Sequence, residues 1–210
     1  MENRPLQEYI FEHLGPEDAV LHEIYRHTHL HVLYSEMVSG HEQGRLLSMI
    51  SHMMQPRQIL ELGTFTGYST ICLAEGLAPD GKLHTIEQND ELVEKAACFF
   101  EKAGMSQKII QYTGDALEII PTLDVYFDLV FIDAAKKQYL DYYFAVFDKV
   151  RKGGCILVDN ILWYNKIFDP KIRDETTEKL REFNTFVSKD ARIERAIVQN
   201  RDGLFILRKK

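Results

Sequence analysis

The sequence has few cysteines, no segment rich in proline, glycine or serine, and no long apolar run. Each shortage excludes a class of protein. Its three cysteines, Cys72, Cys98 and Cys155, are too few and too far apart for a disulfide framework or a zinc knuckle. We interpret them as small buried apolar side chains in a reducing compartment. Because no linker, repeat or low-complexity segment divides the 210 residues, we expect a single domain over 1–210.

Basic charge is also in short supply. The 25 lysines and arginines are outnumbered by 32 aspartates and glutamates, which gives a formal net charge of −7. No molecule-wide positive field therefore attracts nucleic acid or an anionic membrane surface. No apolar run approaches the ~20 residues that span a bilayer, and residues 1–5 lack a basic-then-apolar signal pattern. We expect a cytoplasmic protein.

The apolar periodicity of the chain changes near residue 55. From about Leu6 to His52, apolar residues recur at intervals of three and four, which predicts helices. Strands are then predicted at Gln58–Leu62, Lys82–Glu87, Ile109–Tyr112, Phe127–Ile132 and Gly154–Val158. Helices are predicted between and after them at Tyr68–Glu75, Asp90–Ala103, Leu117–Leu123, Tyr139–Val150 and Glu175–Asp190. This alternation favours an α/β fold with a doubly wound, mainly parallel sheet, because parallel neighbours require crossover connections.

The end of the chain has a different pattern. Two apolar runs, Arg192–Gln199 and Leu204–Arg208, flank the segment Asn200-Arg201-Asp202-Gly203. Asp-Gly suits a tight turn between antiparallel strands. The pattern predicts a hairpin that closes one edge of a seven-stranded sheet.

The first motif with chemical content is a strand that enters a loop with two glycines and then a helix. Gly63 and Gly67 let the backbone approach a ligand, and the helix amino end presents unpaired N–H groups. Glu87 ends the next strand, 24 residues after Gly63, where a carboxylate can accept hydrogen bonds from both ribose hydroxyls. The Gly-x-x-x-Gly spacing argues against NAD and favours a nucleoside without a pyrophosphate, such as S-adenosylmethionine. The alternative is a plain tight turn, which Glu61 and Glu87 together disfavour.

A second motif consists of polar residues at the ends of two predicted strands. Asp133 follows one strand, and Asp159 and Asn160 follow the next. Because the carboxyl ends of parallel strands lie on one edge of a sheet, these side chains can converge beside the glycine loop. Oxygen ligands with a net charge of about −2 suit magnesium. The alternative is that the aspartates cap the following helices, and Lys136 nearby favours the metal site.

Taken together, these segments resemble the magnesium-dependent class I O-methyltransferases, a family that includes catechol O-methyltransferase and the plant caffeoyl-CoA O-methyltransferases. The resemblance covers nearly the whole chain and runs in order through 61–69, 131–136, 158–163, 181–184 and the Asp202-Gly203 hairpin. It implies a Rossmann-like fold. Asp133-Ala134-Ala135-Lys136 departs from the Asp-Ala-Asp-Lys of the plant enzymes. It has the form of bacterial members, some of which methylate a hydroxyuridine in tRNA.

The resemblance implies a role for each candidate residue. Glu61, Gly63, Thr64 and Ser69 would hold the methionine part of S-adenosylmethionine, Glu87 the ribose, and Asp115 with Ala116 the adenine, while Met37-Val38-Ser39 would cover the cofactor. Asp133, Asp159 and Asn160 would bind Mg²⁺. Lys136 would act as general base, and Asp133 is expected to serve catalysis and the cofactor as well. Trp163 and Tyr164 are candidates for an aromatic wall against a planar substrate, with core packing as the alternative.

The expected function is therefore S-adenosylmethionine-dependent, metal-assisted O-methylation of a small catechol-like acceptor. Two alternatives remain: a methyltransferase for the wobble 5-hydroxyuridine of tRNA, and a non-catalytic nucleoside-binding regulator. The acidic charge disfavours RNA, and the complete metal triad disfavours an inactive protein. The resemblance also implies a homodimer, with segment 1–55 as a helical cover for substrate or dimer contact and 56–210 as the core.

Overall fold

The chain forms one sheet with helices on both faces. The structure, a computed structural model, describes residues 6–210 apart from the side chain of Gln7, so segment 1–5, which lacks a signal pattern, lies outside it. The strands are β1 Gln58–Leu62, β2 Lys82–Glu87, β3 Ile109–Thr113, β4 Phe127–Ile132, β5 Val150–Val158, β6 Ile193–Val198 and β7 Leu204–Lys209. The helices are α1 Leu6–His13, α2 Ala19–His31, α3 Gly40–Met54, α4 Tyr68–Glu75, α5 Asp90–Lys102, α6 Ala116–Ile119, α7 Tyr139–Phe147 and α8 Glu175–Lys189.

The strand order confirms the predicted fold class. The seven strands lie in the order β3-β2-β1-β4-β5-β7-β6. The first five are parallel, and β7 pairs antiparallel with both β5 and β6. The order reverses beside β1, which pairs with β2 on one side and β4 on the other. Crossovers leave the sheet in opposite directions at such a point and open a crevice at the carboxyl ends of the strands.

The sheet separates two apolar cores, since successive strand residues face opposite sides. Ile59 packs into the core beneath α2 to α5, whereas its neighbour Leu60 packs into the core beneath α6 to α8. Both side chains are fully buried. The polar residues at the strand ends are thus held by strands that are fixed on both faces.

The N-terminal helices belong to the first of these cores. Leu21 and Ile24 of α2 and Leu47 of α3 are buried against α4. A buried hydrogen bond from Thr28 Oγ1 to Thr66 Oγ1, 2.9 Å long, also ties α2 to the glycine loop. The cover role expected for 1–55 stays a prediction. Within residues 6–210, no helix has the length and apolar character needed to cross a membrane.

Three local expectations need correction. The helix expected over 139–150 ends at Phe147, and β5 begins at Val150 rather than Gly154. Val150 pairs with Phe127, and the register shifts between Phe127 and Leu129. The first residues of β5 are mostly polar, so no apolar run in the sequence marks where this strand begins. The helix expected over 117–123 is a short α-helix followed by a 3-10 turn over 120–122. Cys98 is exposed, because Phe99 and Phe100 occupy the buried face of α5.

Candidate active site

A cavity of about 950 Å³ opens at the carboxyl edge of the sheet, beside the point where the strand order reverses. The predicted site residues other than Glu61 line it: Met37, Ser39, Gly63, Thr64, Ser69, Glu87, Asp115, Ala116, Asp133, Lys136, Asp159 and Asn160. A second concavity of about 980 Å³ runs along α8 among mostly charged side chains and contains none of these residues. The fold therefore brings the predicted residues together, while their individual roles stay predictions.

The glycine loop needs its two glycines for space as well as for backbone conformation. Gly63 has a φ of +96°, and a Cβ there would lie 2.4 Å from the carbonyl oxygen of Asp133. Gly67 has a φ of +87°, and a Cβ there would lie 2.6 Å from the ring of Phe100. Larger residues are strained in this region of φ. The loop from β1 to α4 therefore needs Gly63 to pass close to the end of β4 and Gly67 to pass close to α5.

Glu61 lies behind the cavity wall. Its carboxylate is fully buried and accepts hydrogen bonds from Ser69 Oγ at 2.6 Å, Thr70 Oγ1 at 2.5 Å and Thr85 Oγ1 at 2.7 Å. Burial raises the pKa of Glu61 to about 7, although these hydrogen bonds oppose the rise. Ser69 lines the cavity, so Glu61 reaches the ligand space through that hydroxyl. Direct contact of Glu61 with a cofactor stays a prediction.

Two further carboxylates line the cavity. Glu87, at the end of β2, accepts hydrogen bonds from the backbone N–H of Phe65 at 2.8 Å and of Asn89 at 3.0 Å. Asp115 caps α6 by accepting from the N–H of Leu117 at 2.8 Å. These backbone donors fix both side chains at the rim of the cavity before any ligand arrives.

The polar cluster at the ends of β4 and β5 contains an unpaired acid oxygen. Asp159 Oδ2 accepts a hydrogen bond from Gln43 Nε2 at 2.7 Å, but Asp159 Oδ1 is buried and has no hydrogen-bond partner within residues 6–210. Burial and the nearby charge of Asp133 raise the pKa of Asp159 to about 6. Buried carboxylate oxygens are normally satisfied, so an unpaired one on a residue that lines a cavity is a candidate contact for a cation or a hydrogen-bond donor.

The donor set suits a hard divalent cation. In the part of the chain that the structure describes, no three His, Cys, Asp or Glu side chains form a metal-binding cluster. The candidate set is instead two carboxylates and the amide of Asn160, all of which offer oxygen, the ligand that Mg²⁺ prefers. The Lys136 ammonium lies 2.5 Å from Asp133 Oδ1 and balances the negative charge of that carboxylate. The residues present fit a magnesium ion.

Lys136 is a cation in this arrangement. Burial alone would lower its pKa, but the charge of Asp133 and the hydrogen bond between them raise the pKa above its usual value. The ammonium also lies 5.5 Å from the centre of the Tyr139 ring. Lys136 must lose its proton before it can act as the predicted base.

Aromatic side chains form part of the outer wall. Trp163 and Tyr164 both line the cavity and continue with Asn165 in a left-handed backbone, with φ values of 49°, 52° and 62°. Asp202 holds this turn by accepting from the N–H of Tyr164 at 2.6 Å. Side chains rarely tolerate this conformation, so the turn stores strain at the mouth of the cavity.

The residues of the site that were not predicted from the sequence include Gln43, Tyr142, Arg201 and Asp202, each of which lines the cavity or contacts a residue that does. Gln43 did carry a signal, since it shares a buried face of α3 with Leu47 and Ile50, where a polar residue is unusual. Tyr142 lies on α7. It is buried in the core and also reaches the cavity.

Comparison with known proteins decides the family. The profile of the O-methyltransferase family matches residues 12–210. The chain belongs to the O-methyltransferase family. This methyltransferase is 33% identical over 180 residues to a caffeoyl-CoA O-methyltransferase of Populus kitakamiensis, covering 80% of this chain and 76% of the relative. It is 32% identical over 161 residues to a catechol O-methyltransferase of Niastella koreensis, covering 75% of this chain and 73% of the relative.

A solved structure agrees with these relatives. The O-methyltransferase TomG from Streptomyces achromogenes, determined in complex with S-adenosylmethionine, superimposes with a TM-score of 0.90 at 32% identity, covering 97% of this chain and 95% of TomG. The likeness confirms the Rossmann-like fold, and together with the family match it confirms the expected S-adenosylmethionine-dependent O-methyltransferase.

Proposed function

We propose that this methyltransferase moves a methyl group from S-adenosylmethionine to a hydroxyl of a small catechol-like acceptor, assisted by a divalent cation such as Mg²⁺. The observation that carries the proposal is the buried, unpaired Oδ1 of Asp159 at a cavity that Asp133 and Asn160 also line. The relative from Niastella koreensis, a catechol O-methyltransferase, supports this acceptor class.

The cofactor would lie along the carboxyl ends of β1, β2 and the β3–α6 turn. Ser69 would meet the methionine part, Glu87 the ribose hydroxyls, and Asp115 with Ala116 the adenine. Segment 37–39 would close over the cofactor from the N-terminal side. The support is that these residues line one continuous cavity and that backbone donors already hold the carboxylates of Glu87 and Asp115.

The acceptor hydroxyl must lose its proton, because a neutral phenol, with a pKa near ~10, is a weak nucleophile. Asp133, Asp159 and Asn160 would hold the cation, which when bound lowers the hydroxyl pKa as a Lewis acid. Each unit of that lowering is worth about 1.4 kcal/mol. Lys136 would first have to release its own ammonium proton to solvent; it would then take the acceptor's proton at Nζ, and as an ammonium it would hold the resulting oxyanion in place. Trp163 and Tyr164 would exclude water and orient the ring.

The decisive assay follows labelled methyl transfer from S-adenosylmethionine to catechol with Mg²⁺, with a chelator, and with unmodified-wobble tRNA as a competing acceptor. We expect label in catechol and loss of transfer with chelator, restored by added Mg²⁺. Asp159→Asn should reduce transfer by about 100-fold, because a neutral amide cannot replace the negative charge of a carboxylate that binds the cation. Asp141→Asn, at an exposed position of α7, is the matched control and should transfer normally.

Each of the other outcomes contradicts the proposal at a different point. Transfer to catechol that survives both chelator and Asp159→Asn removes the cation from the reaction. Label in tRNA alone replaces the acceptor class. Label in neither acceptor, with S-adenosylmethionine still bound, favours a regulator.

A further inference from the structure

The turn between β6 and β7 reaches across the cavity to the segment expected to cover the cofactor. Arg201 lies in this turn, and its guanidinium donates to the carbonyl oxygens of Val38 at 3.1 Å, Ser39 at 2.5 Å and Glu36 at 3.3 Å. These partners are more than 160 residues away in the sequence. One side chain therefore joins the C-terminal hairpin to segment 36–39, hereafter the cover segment.

The cover segment depends on such an external contact. It begins within a 3-10 turn over 35–37 and continues as a two-residue link to α3. Ser39, at the N-cap position of α3, makes no side-chain cap. Three carbonyl oxygens of the segment, those of residues 36, 38 and 39, point to one guanidinium. A planar group with five N–H donors can hold several carbonyls at once, which a single ammonium cannot do equally well.

The same guanidinium also reaches the acid at the end of β5 through one intermediate. Arg201 Nη1 lies 3.3 Å from Gln43 Oε1, and the other end of that amide, Nε2, donates to Asp159 Oδ2 at 2.7 Å. An arginine has no acceptor, so its contact with Oε1 fixes which way the amide of Gln43 points. The amide then occupies Oδ2 of Asp159 and leaves Oδ1, which is buried, without a hydrogen-bond partner within residues 6–210.

We propose that Arg201 is a positioning residue that holds the cover segment over S-adenosylmethionine and, through Gln43, orients Asp159 for its ligand. Both parts of the inference rest on the proposed function: the cover part on the closing of segment 37–39 over the cofactor, and the Asp159 part on the binding of a cation. Neither Arg201 nor Gln43 takes part in bond making. Their effect is on the affinity for the cofactor and for the cation.

The test measures binding, not turnover. S-adenosylhomocysteine is titrated into the full chain by calorimetry, and Mn²⁺ is titrated with detection by electron paramagnetic resonance. Arg201→Ala should raise the Kd for S-adenosylhomocysteine at least tenfold and weaken Mn²⁺ binding, whereas Arg201→Lys should recover part of the loss. Gln43→Met should weaken Mn²⁺ binding about tenfold and leave the Kd for S-adenosylhomocysteine within twofold.

Two further variants separate positioning from folding. Arg201 has a φ of 46°, a conformation that glycine adopts readily, so Arg201→Gly removes the guanidinium while favouring the turn. It should lose as much affinity as Arg201→Ala, with a smaller fall in thermal midpoint than Arg201→Ala. Arg195→Ala, at an exposed position on the same hairpin, is the matched control and should bind both ligands normally.

Wild-type affinity for S-adenosylhomocysteine in Arg201→Ala and Arg201→Gly would overturn the cover part. Mn²⁺ affinity unchanged by Gln43→Met would overturn the Asp159 part. A wild-type chain that binds S-adenosylhomocysteine but no Mn²⁺ contradicts the metal in the proposed function and the Asp159 part with it, while the Arg201 titrations still decide the cover part.

Discussion

The close approach of Gly63 to β4 makes this position sensitive to a single methyl group. We expect Gly63→Ala to lower the free energy of unfolding by at least about 2 kcal/mol, because the added Cβ meets a backbone oxygen and φ is positive. Urea unfolding measures the change. Gly104→Ala is the matched control, since Gly104 also has a positive φ, +69°, but its Cβ would meet no atom within 4 Å. Equal losses in the two variants would show that backbone strain alone, and not the clash, determines the cost.

A buried acid far from the cavity predicts how stability depends on pH. The Arg192 guanidinium donates to Asp190 and holds the pKa of this carboxyl at about 2 in spite of its burial. A lowered pKa stabilises the fold above the unfolded value near ~3.9, and that contribution disappears as the pH falls towards 2. Asp190→Asn should therefore lower the free energy of unfolding by about 2 kcal/mol at pH 7, and this difference should disappear as the pH falls towards 2.

The measurement is the free energy of unfolding of both proteins between pH 2 and pH 7. Glu194→Gln is the control, because Glu194 pairs with Arg208 at the surface, where such pairs contribute little. A constant difference between Asp190→Asn and the wild type across this range would contradict the assignment of the low pKa to Asp190.

Sequence reasoning found individual site residues where a strand end marks them, and missed those that depend on distant partners. Asp133, Asp159 and Asn160 follow apolar strands, so their shared edge follows from parallel pairing. Gln43 and Arg201 contact partners 116 and 158 residues away along the chain, and no local pattern encodes such contacts. The depth of Glu61 behind Ser69 also depends on the packing of α4, which periodicity does not specify.

At the scale of elements, the bounds of three strands, β1, β2 and β4, were predicted to the residue. Each is a short segment rich in isoleucine, leucine, valine or phenylalanine between polar turns, where the pattern is strongest. The start of β5 was missed because its first residues include Arg151 and Lys152, which read as the end of a helix. Two glycines, Gly153 and Gly154, let that strand bulge past β4, and the pairing rather than the composition defines it as a strand.

The contact between α2 and the glycine loop can be tested as a pair. Thr28 and Thr66 are both fully buried and share one hydrogen bond. We expect Thr28→Val and Thr66→Val each to destabilise the fold, and the double variant to lose about 1 kcal/mol less than the sum, since the shared bond is lost only once. Urea unfolding of the four proteins gives this coupling energy. Strict additivity would show that the hydroxyls act independently.

The whole molecule should unfold as one unit. The N-terminal helices pack on the sheet, and the strands of this one sheet line both apolar cores, so within residues 6–210 neither core can persist when the sheet is lost. A ligand that binds only the folded chain then stabilises all of it. S-adenosylhomocysteine at about 100 times its Kd should add about 2.7 kcal/mol and raise the thermal midpoint by about 5–10 °C. Calorimetry with two separate transitions, one of them unmoved by ligand, would contradict a single unit.

A homodimer stays a prediction at this scale. Its support is the apolar surface at the end of α2, where Leu30 is 61%, Leu33 82% and Tyr34 70% exposed. We expect a mass near twice 24.4 kDa by light scattering, and a shift towards the single-chain mass for Leu33→Asp. Phe168→Asp is the control, because Phe168 is also apolar and is 66% exposed but lies outside the N-terminal segment. A wild-type mass of 24.4 kDa by light scattering at all concentrations would contradict the homodimer.

The left-handed turn at residues 163–165 has a consequence for how this enzyme can change its acceptor over evolutionary time. A glycine at Tyr164 would release about 1 kcal/mol of backbone strain, which offsets the conformational entropy that glycine adds to the unfolded chain. The same substitution would clear a large ring from the entrance. In most proteins, widening a pocket removes packing and weakens the fold. With Tyr164 at the proposed acceptor wall, such a substitution would broaden the acceptor range with little loss of stability.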